Sequence, residues 1–208
     1  MSLHQFTAAQ ASVITGLPLS AIHKAMDTGL VRAKRSRKGK AVQRVLSQEQ
    51  LLYLDLEAGG LLLLPLRERR KIAQAILKSP KSDALAVGSN GVLKIDLQLA
   101  RKRLAEALRR IEQARNLAVS DPGIMNGTPV FKGTRIPVQT IASMHAQGVA
   151  LTEILDGYPA LNREMVELAP IYVSAFPRRG RPARLPWRKR KPVRNHQCTK
   201  GVVPGNAI

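Results

Sequence analysis

The sequence predicts a mainly α fold with short β-hairpins: two small helix-turn-helix or winged-helix-like domains, then an extended basic C-terminal tail. Three observations predict it. Short amphipathic stretches recur behind side chains that cap helices. Seven basic residues and no acid lie between Arg32 and Arg44, flanked by such stretches, as the tip of an exposed hairpin would be. From Pro177 to Ile208 there are ten basic residues and no Asp or Glu, with proline at Pro177, Pro182, Pro186 and Pro192. Proline and like charges keep such a tail extended when free.

The first element is a helix entered at Thr7, with Gln10 in capping-box position, apolar Val13 and Ile14, and Leu17 just past the Gly16 stop. Pro18 and Ser20 open a second helix with Ile22, Ala25 and Met26 on one face, ended by Gly29. Two short helices around a glycine-bearing turn form a helix-turn-helix pattern. Residues Val31 to Arg35 and Ala41 to Leu46 read as two strands with Arg37–Lys40 at the tip. Ser47 then caps a helix running to Ala58. Beyond it, "GGLLLLPL" reads as a short apolar strand, followed by a helix from Pro65 to Leu77 and a hairpin turning at Gly88–Gly91.

Asp96 is read as the cap of a long helix. Leu97, Leu104, Ile111 and Ala118 recur every seven residues, with Ala100, Ala107 and Ala114 between them. An alanine seam admits close approach of another helix, from the same chain or from a second copy. After it, Val130 and Phe131 read as a small hairpin between turn-rich flanks. Three helices follow, entered at Pro137, Thr152 and Asn162, with Pro170 inside the last and Pro177 closing it. The chain thus divides into a winged helix-turn-helix domain (1–60), a connecting region with a long helix suited to dimerisation or internal packing (61–118), a second helix-turn-helix-like domain (119–176) and the tail (177–208).

Charge follows this division. The chain carries 34 basic and 14 acidic residues, a formal +20. Residues 119–176 are the exception, with 3 basic and 5 acidic side chains. An anionic partner is therefore expected for the flanks and not for this segment. Aromatics make up 3 %, too few for base-stacking surfaces of the single-strand-binding type. One cysteine, Cys198, excludes a disulfide framework within the chain and fits a reducing cytoplasm. The opening "MSLHQFTAAQ" lacks a charged stretch followed by an apolar core, so no signal peptide is expected, and no apolar run is long enough to span a membrane. The four His show no metal-ligand spacing, and no glycine-rich loop sits between a strand and a helix. No enzyme, cofactor or metal is expected.

The stretch Asp121, Pro122, Ile124, then Gly127, Pro129, Val130 and Gly133 to Val138, then Gly148, Glu153 to Leu155, Tyr158 and Pro159 resembles domain-of-unknown-function family 433, the VapB-like antitoxins. Pro177 to Pro182 and Pro186–Trp187 resemble the tail of the same family. The N-terminal half is similar to a MerR-like winged helix-turn-helix. The resemblance implies a type II antitoxin, cytoplasmic and homodimeric. It would bind operator DNA to repress its own operon, and would silence a cognate PIN-like ribonuclease toxin.

Candidate residues follow from both readings. Ser20, His23 and Lys24 face away from the apolar stripe of the second helix and would meet the major groove. Arg32, Lys34, Arg35, Arg37, Lys38, Lys40 and Arg44 would neutralise phosphates. In the tail, Arg178, Arg179, Arg181 and Arg184 would seek the clustered carboxylates of a metal-dependent nuclease, with Trp187 as an apolar anchor. A tail that merely clamps nucleic acid is the alternative, belonging to a stand-alone DNA-binding regulator. Gly133 and Thr134 are expected to make a turn, Arg135 to pair inside the fold, and His145 to lie in the core.

Overall fold

A computed structural model describes residues 5–38, 41–87 and 93–177. The Arg37–Lys40 tip in part, the Gly88–Gly91 turn and the tail fall outside the described residues. Among the described residues, eight helices dominate, joined by three small antiparallel sheets.

Strand β1 (Phe6–Thr7) leads directly into helix α1 (Ala8–Thr15). Thr7 accepts from the Gln10 amide, and the Gln10 side chain accepts from the Thr7 amide, closing the capping box. Such a cap stabilises a helix by about 1 kcal/mol. Gly16 ends α1 at φ 72°, a left-handed turn that a β-carbon would strain. Helix α2 (Leu19–Asp27) buries Ile22, Ala25 and Met26. Strands β2 (Lys34–Lys38) and β3 (Ala41–Leu46) pair antiparallel, and β1 adds to the other edge of β3. The first hairpin strand therefore begins three residues later than the sequence suggests. Leu30 and Val31 are buried, and the Val31 amide donates back to the Ala25 carbonyl, so this stretch turns into the core.

Helix α3 (Gln48–Ala58) starts at a Ser47–Gln50 capping box. Leu51, Leu52, Tyr53, Leu54 and Leu56 are all buried, so α3 is wrapped on most sides. The next residues, Leu61–Leu63, form a single 3₁₀ turn rather than the expected strand. Leu63 is 91 % exposed, and no strand among the described residues pairs with this stretch. Helix α4 (Leu66–Lys78) and the hairpin of β4 (Ala84–Val87) and β5 (Leu93–Asp96) follow.

Helix α5 (Gln98–Leu117) is the longest of those described. Leu97, not Asp96, stands at its cap position, while the Asp96 side chain accepts from the Gln98 amide. Leu97, Ala100, Leu104, Ile111 and Ala114 of the heptad seam are buried within this one chain. One apolar cluster unites Phe6, Ile22, Leu51, Ile72, Leu97 and Ile111. It crosses positions 60 and 61 without a break.

Strand β6 (Ala118–Val119) pairs with β7 (Val130–Phe131), so the partner of Val130–Phe131 comes from the end of α5. Gly133 at φ 79° and the Thr134 hydroxyl, which donates to the Phe131 carbonyl, make the expected turn. Between the strands, Met125 and Asn126 both adopt left-handed backbone, at φ 48° and 54°. Helices α6 (Val138–Ala146), α7 (Leu151–Gly157) and α8 (Arg163–Ala175) complete the described fold. Ala150, not Thr152, precedes α7, and it gives no side-chain cap. Asn162 caps α8 by accepting from the Met165 amide. A second cluster gathers Phe131, Ile141, Ile154 and Val166. Helix α8 serves both clusters. Val166 and Ala169 belong to the second, Ala175 to the first, with Ile171 and Phe176 packed against the first. It packs on α1 and α5 as well as α6.

Candidate nucleic-acid interface

The buried stripe of α2 leaves Ser20, His23, Lys24 and Asp27 exposed on the opposite face. Beside it, the hairpin register sets Arg35 opposite Arg44 and Arg37 opposite Val42. Residues directly opposite in an antiparallel pair share a face, and so do alternate residues of one strand. Arg35, Arg37 and Arg44 therefore form one basic face. Lys34 and Ser36 occupy the other, across from Val45 and Gln43.

One contact shows where this face meets α2. The Arg44 guanidinium donates to the Asp27 carboxylate at 2.5 Å. The basic side of the hairpin thus adjoins the C-terminal end of the exposed face of α2. Lys24, Arg32, Lys34, Arg35 and Arg37 are exposed and form no ion pair with a described carboxylate. Arg32 anchors through its backbone instead, its carbonyl accepting from the Gln50 amide group at 2.7 Å. Lys40 and the side chain of Lys38 lie outside the described residues.

Sequence reasoning missed Arg70. It lies on α4, yet its guanidinium donates to the Thr28 carbonyl at 3.3 Å, next to Asp27. A cation at a helix C-terminus satisfies an orphan carbonyl and complements the helix dipole. The signal is 42 residues away in sequence, so no local pattern reports it. Two arginines from different elements thus converge on consecutive residues at the end of α2.

Behind the surface, α3 carries two buried acids, Asp55 and Glu57. Glu57 accepts from the Tyr53 hydroxyl at 2.6 Å and from Arg69 of α4 at 2.8 Å. Asp55 accepts from Arg103 of α5 at 2.8 Å. Each carboxylate ties α3 to a different helix. Burial, and then the hydrogen bond to Glu57, push the Tyr53 phenol far above its ordinary value of 10.0.

The 119–176 segment presents a different surface. Arg135 is exposed and has no ion pair among the described residues, contrary to the expected internal pairing. The turn made by Gly133 and Thr134 directs it outward. His145 is likewise exposed: its spacing puts it on the face of Val138, Ile141 and Ala142, but it lies in the last turn of α6, beyond the buried part of that stripe. Arg163 pairs with Glu167 at 2.7 Å. Among the described residues, no group of three or more His, Cys, Asp or Glu converges as a metal site would. No described helix is long and apolar enough to cross a membrane. The tail residues Arg178, Arg179, Arg181, Arg184 and Trp187 lie outside the described residues.

The fold is therefore mainly helical, with a cationic helix-and-hairpin surface on one part and a near-neutral helical segment on another. That segment, residues 119–173, matches the family model described as "Protein of unknown function (DUF433)". The chain is also 32 % identical over 142 residues to the "Uncharacterized protein y4eO" of Sinorhizobium fredii. The match covers 68 % of this chain and 60 % of that protein, so the chain spans about three fifths of its relative. Two solved structures are similar to parts of it. A DUF433 member protein from Anabaena variabilis shares 30 % identity, with a TM-score of 0.28, over 36 % of this chain and 75 % of that one. Rv2018 from Mycobacterium tuberculosis shares 14 % identity, with a TM-score of 0.36, over 81 % of this chain and 97 % of that one.

Proposed function

We propose that this protein is a DNA-binding antitoxin. Its N-terminal winged helix binds operator DNA of its own operon, and its DUF433 segment and basic tail hold and silence a PIN-like ribonuclease. The observation that carries the DNA-binding part is the single surface formed by α2 and the Arg35–Arg37–Arg44 face, joined through Asp27. Ser20, His23 and Lys24 enter the major groove, and the hairpin arginines neutralise flanking phosphates. The toxin-binding part rests on the DUF433 match and on a tail with ten basic and no acidic residues. Guanidinium groups pair bidentately with the carboxylates that such a nuclease clusters around its metal. Self-association into a homodimer presents two α2 helices to a palindromic operator.

Two assays test this. Fluorescence anisotropy with the duplex upstream of the chain's own reading frame should show binding tighter than to a scrambled duplex, weakening as salt rises. Co-purification with the neighbouring gene product should recover a nuclease, silenced by the full chain and active when the chain stops at Phe176. DNA binding without any protein partner, weakened equally on all sequences by loss of the tail, would instead identify a stand-alone regulator.

A further inference from the structure

Four acidic residues occur in the first 60 positions: Asp27, Glu49, Asp55 and Glu57. Asp55 and Glu57 are buried and bound to arginines of other helices, and Glu49 is half-buried in the first turn of α3. Asp27 alone is exposed, its side chain 64 % accessible, and it stands on the cationic surface described above. Folding does not account for a carboxylate there. Asp27 is the last residue of α2, where the helix dipole disfavours negative charge. Its ion pair with Arg44 is also exposed on both sides, and such pairs contribute between zero and about 1 kcal/mol to stability. The hairpin needs no such tie, being held by its own five-residue register and by β1.

We infer that Asp27 limits the affinity of the DNA surface by standing in for a DNA phosphate: its carboxylate competes with the backbone for Arg44. The inference rests on the DNA-binding reading proposed above. In the free protein Arg44 is neutralised by Asp27. On DNA, Arg44 must leave one anion for another, so its net gain from a phosphate contact is small. The unremoved carboxylate also repels nearby phosphates. Each full phosphate contact changes the salt slope of log affinity by about 0.9. Freeing Arg44 can gain no more than the strength of the pair it leaves, about fivefold in affinity for any duplex. For a chain of formal charge +20, this restraint acts against binding that requires phosphate contacts alone.

The test uses the full chain and a short duplex of arbitrary sequence, titrated by fluorescence anisotropy over a range of salt. Asp27→Asn should bind up to about fivefold more tightly, with a salt slope steeper by up to about 0.9. In the Arg44→Gln background the same change should gain clearly less, because only the carboxylate's repulsion of phosphates is then removed. A gain of binding is not produced by damage to the fold, which keeps the readout clear of stability effects. Unchanged or weaker binding by Asp27→Asn overturns the inference, as does a gain that is undiminished in the Arg44→Gln background. If the unaltered chain binds neither this duplex nor the upstream one, the DNA-binding reading fails and this inference with it. If it binds and Asp27→Asn gains nothing, this inference fails alone.

Discussion

The chain contains two sets of short, closely connected helices, and they differ less in architecture than in what their surfaces carry. Helices α1 and α2 are followed by a hairpin whose exposed arginines lack described carboxylate partners, apart from Arg44. Helices α6, α7 and α8 are followed by no such hairpin among the described residues, and their segment has more acids than bases. Glu153, Asp156 and Glu164 stand exposed where a nucleic-acid surface would need cations. A helix-turn-helix outline is therefore not in itself an argument for DNA. The distribution of unneutralised charge around it is, because phosphate contact supplies the sequence-independent part of the affinity.

The sharpest way to break this comparison is to ask whether the two parts are separable at all. Phe131→Ala removes a fully buried ring from the second cluster and should cost about 3–5 kcal/mol. Because α8 packs in both clusters, hydrogen exchange should accelerate in α1 as well as in α6. Protection of α1 that stays intact would show two independent units. Next in size, Glu57→Ala leaves Arg69 and the Tyr53 hydroxyl without their shared acceptor in the first cluster. A loss of about 3 kcal/mol in urea unfolding is expected.

The surface comparison can be sharpened directly. Arg35→Gln with Arg37→Gln should weaken DNA binding tenfold or more and lower the salt slope by roughly 2, about 0.9 for each lost contact. Lys132→Gln with Arg135→Gln, the same charge change in the other segment, should leave both quantities alone. Equal losses from the two pairs would erase the distinction drawn above. Cap removal gives a smaller effect. Ser47→Ala on α3 and Asn162→Ala on α8 should each cost about 1 kcal/mol, measured as shifts in urea midpoint.

Smallest is a pH effect confined to the first cluster. The Tyr53 phenol is raised in the fold, so its contribution is fully present below the ordinary value of 10.0 and is lost as pH rises above it. Between neutral pH and roughly half a unit above that ordinary value, stability should fall by about 0.8 kcal/mol from this residue. Urea unfolding of Tyr53→Phe should lack that part of the decline.

Features set by near neighbours along the chain are legible in the sequence alone. The Thr7–Gln10 and Ser47–Gln50 capping boxes, the Gly16 stop and the buried stripe of α2 all follow from spacings of a few residues. The features that sequence patterns misplace involve distant partners. "GGLLLLPL" has strand composition, but the described fold offers it no strand to pair with. Val31 has β-branched character, but it packs under α2 before the strand begins. Val130–Phe131 finds its partner at the end of α5, across a connection no turn rule predicts. For the site, the outward residues of α2 are readable by period, whereas Asp27–Arg44 and Arg70–Thr28 depend on how separate elements come together.

Helix α8 has a consequence for anyone who would treat the DUF433 segment as a portable module. Its Ile171 side, with Ala175 and Phe176 just past the family match, fills space under α1 and α5. Excising residues 119–176 would strip an apolar strip off the excised piece and open a hole in what stays behind. A graft of this segment onto another carrier would have to bring a surrogate for α1 and α5, or redesign the strip as polar.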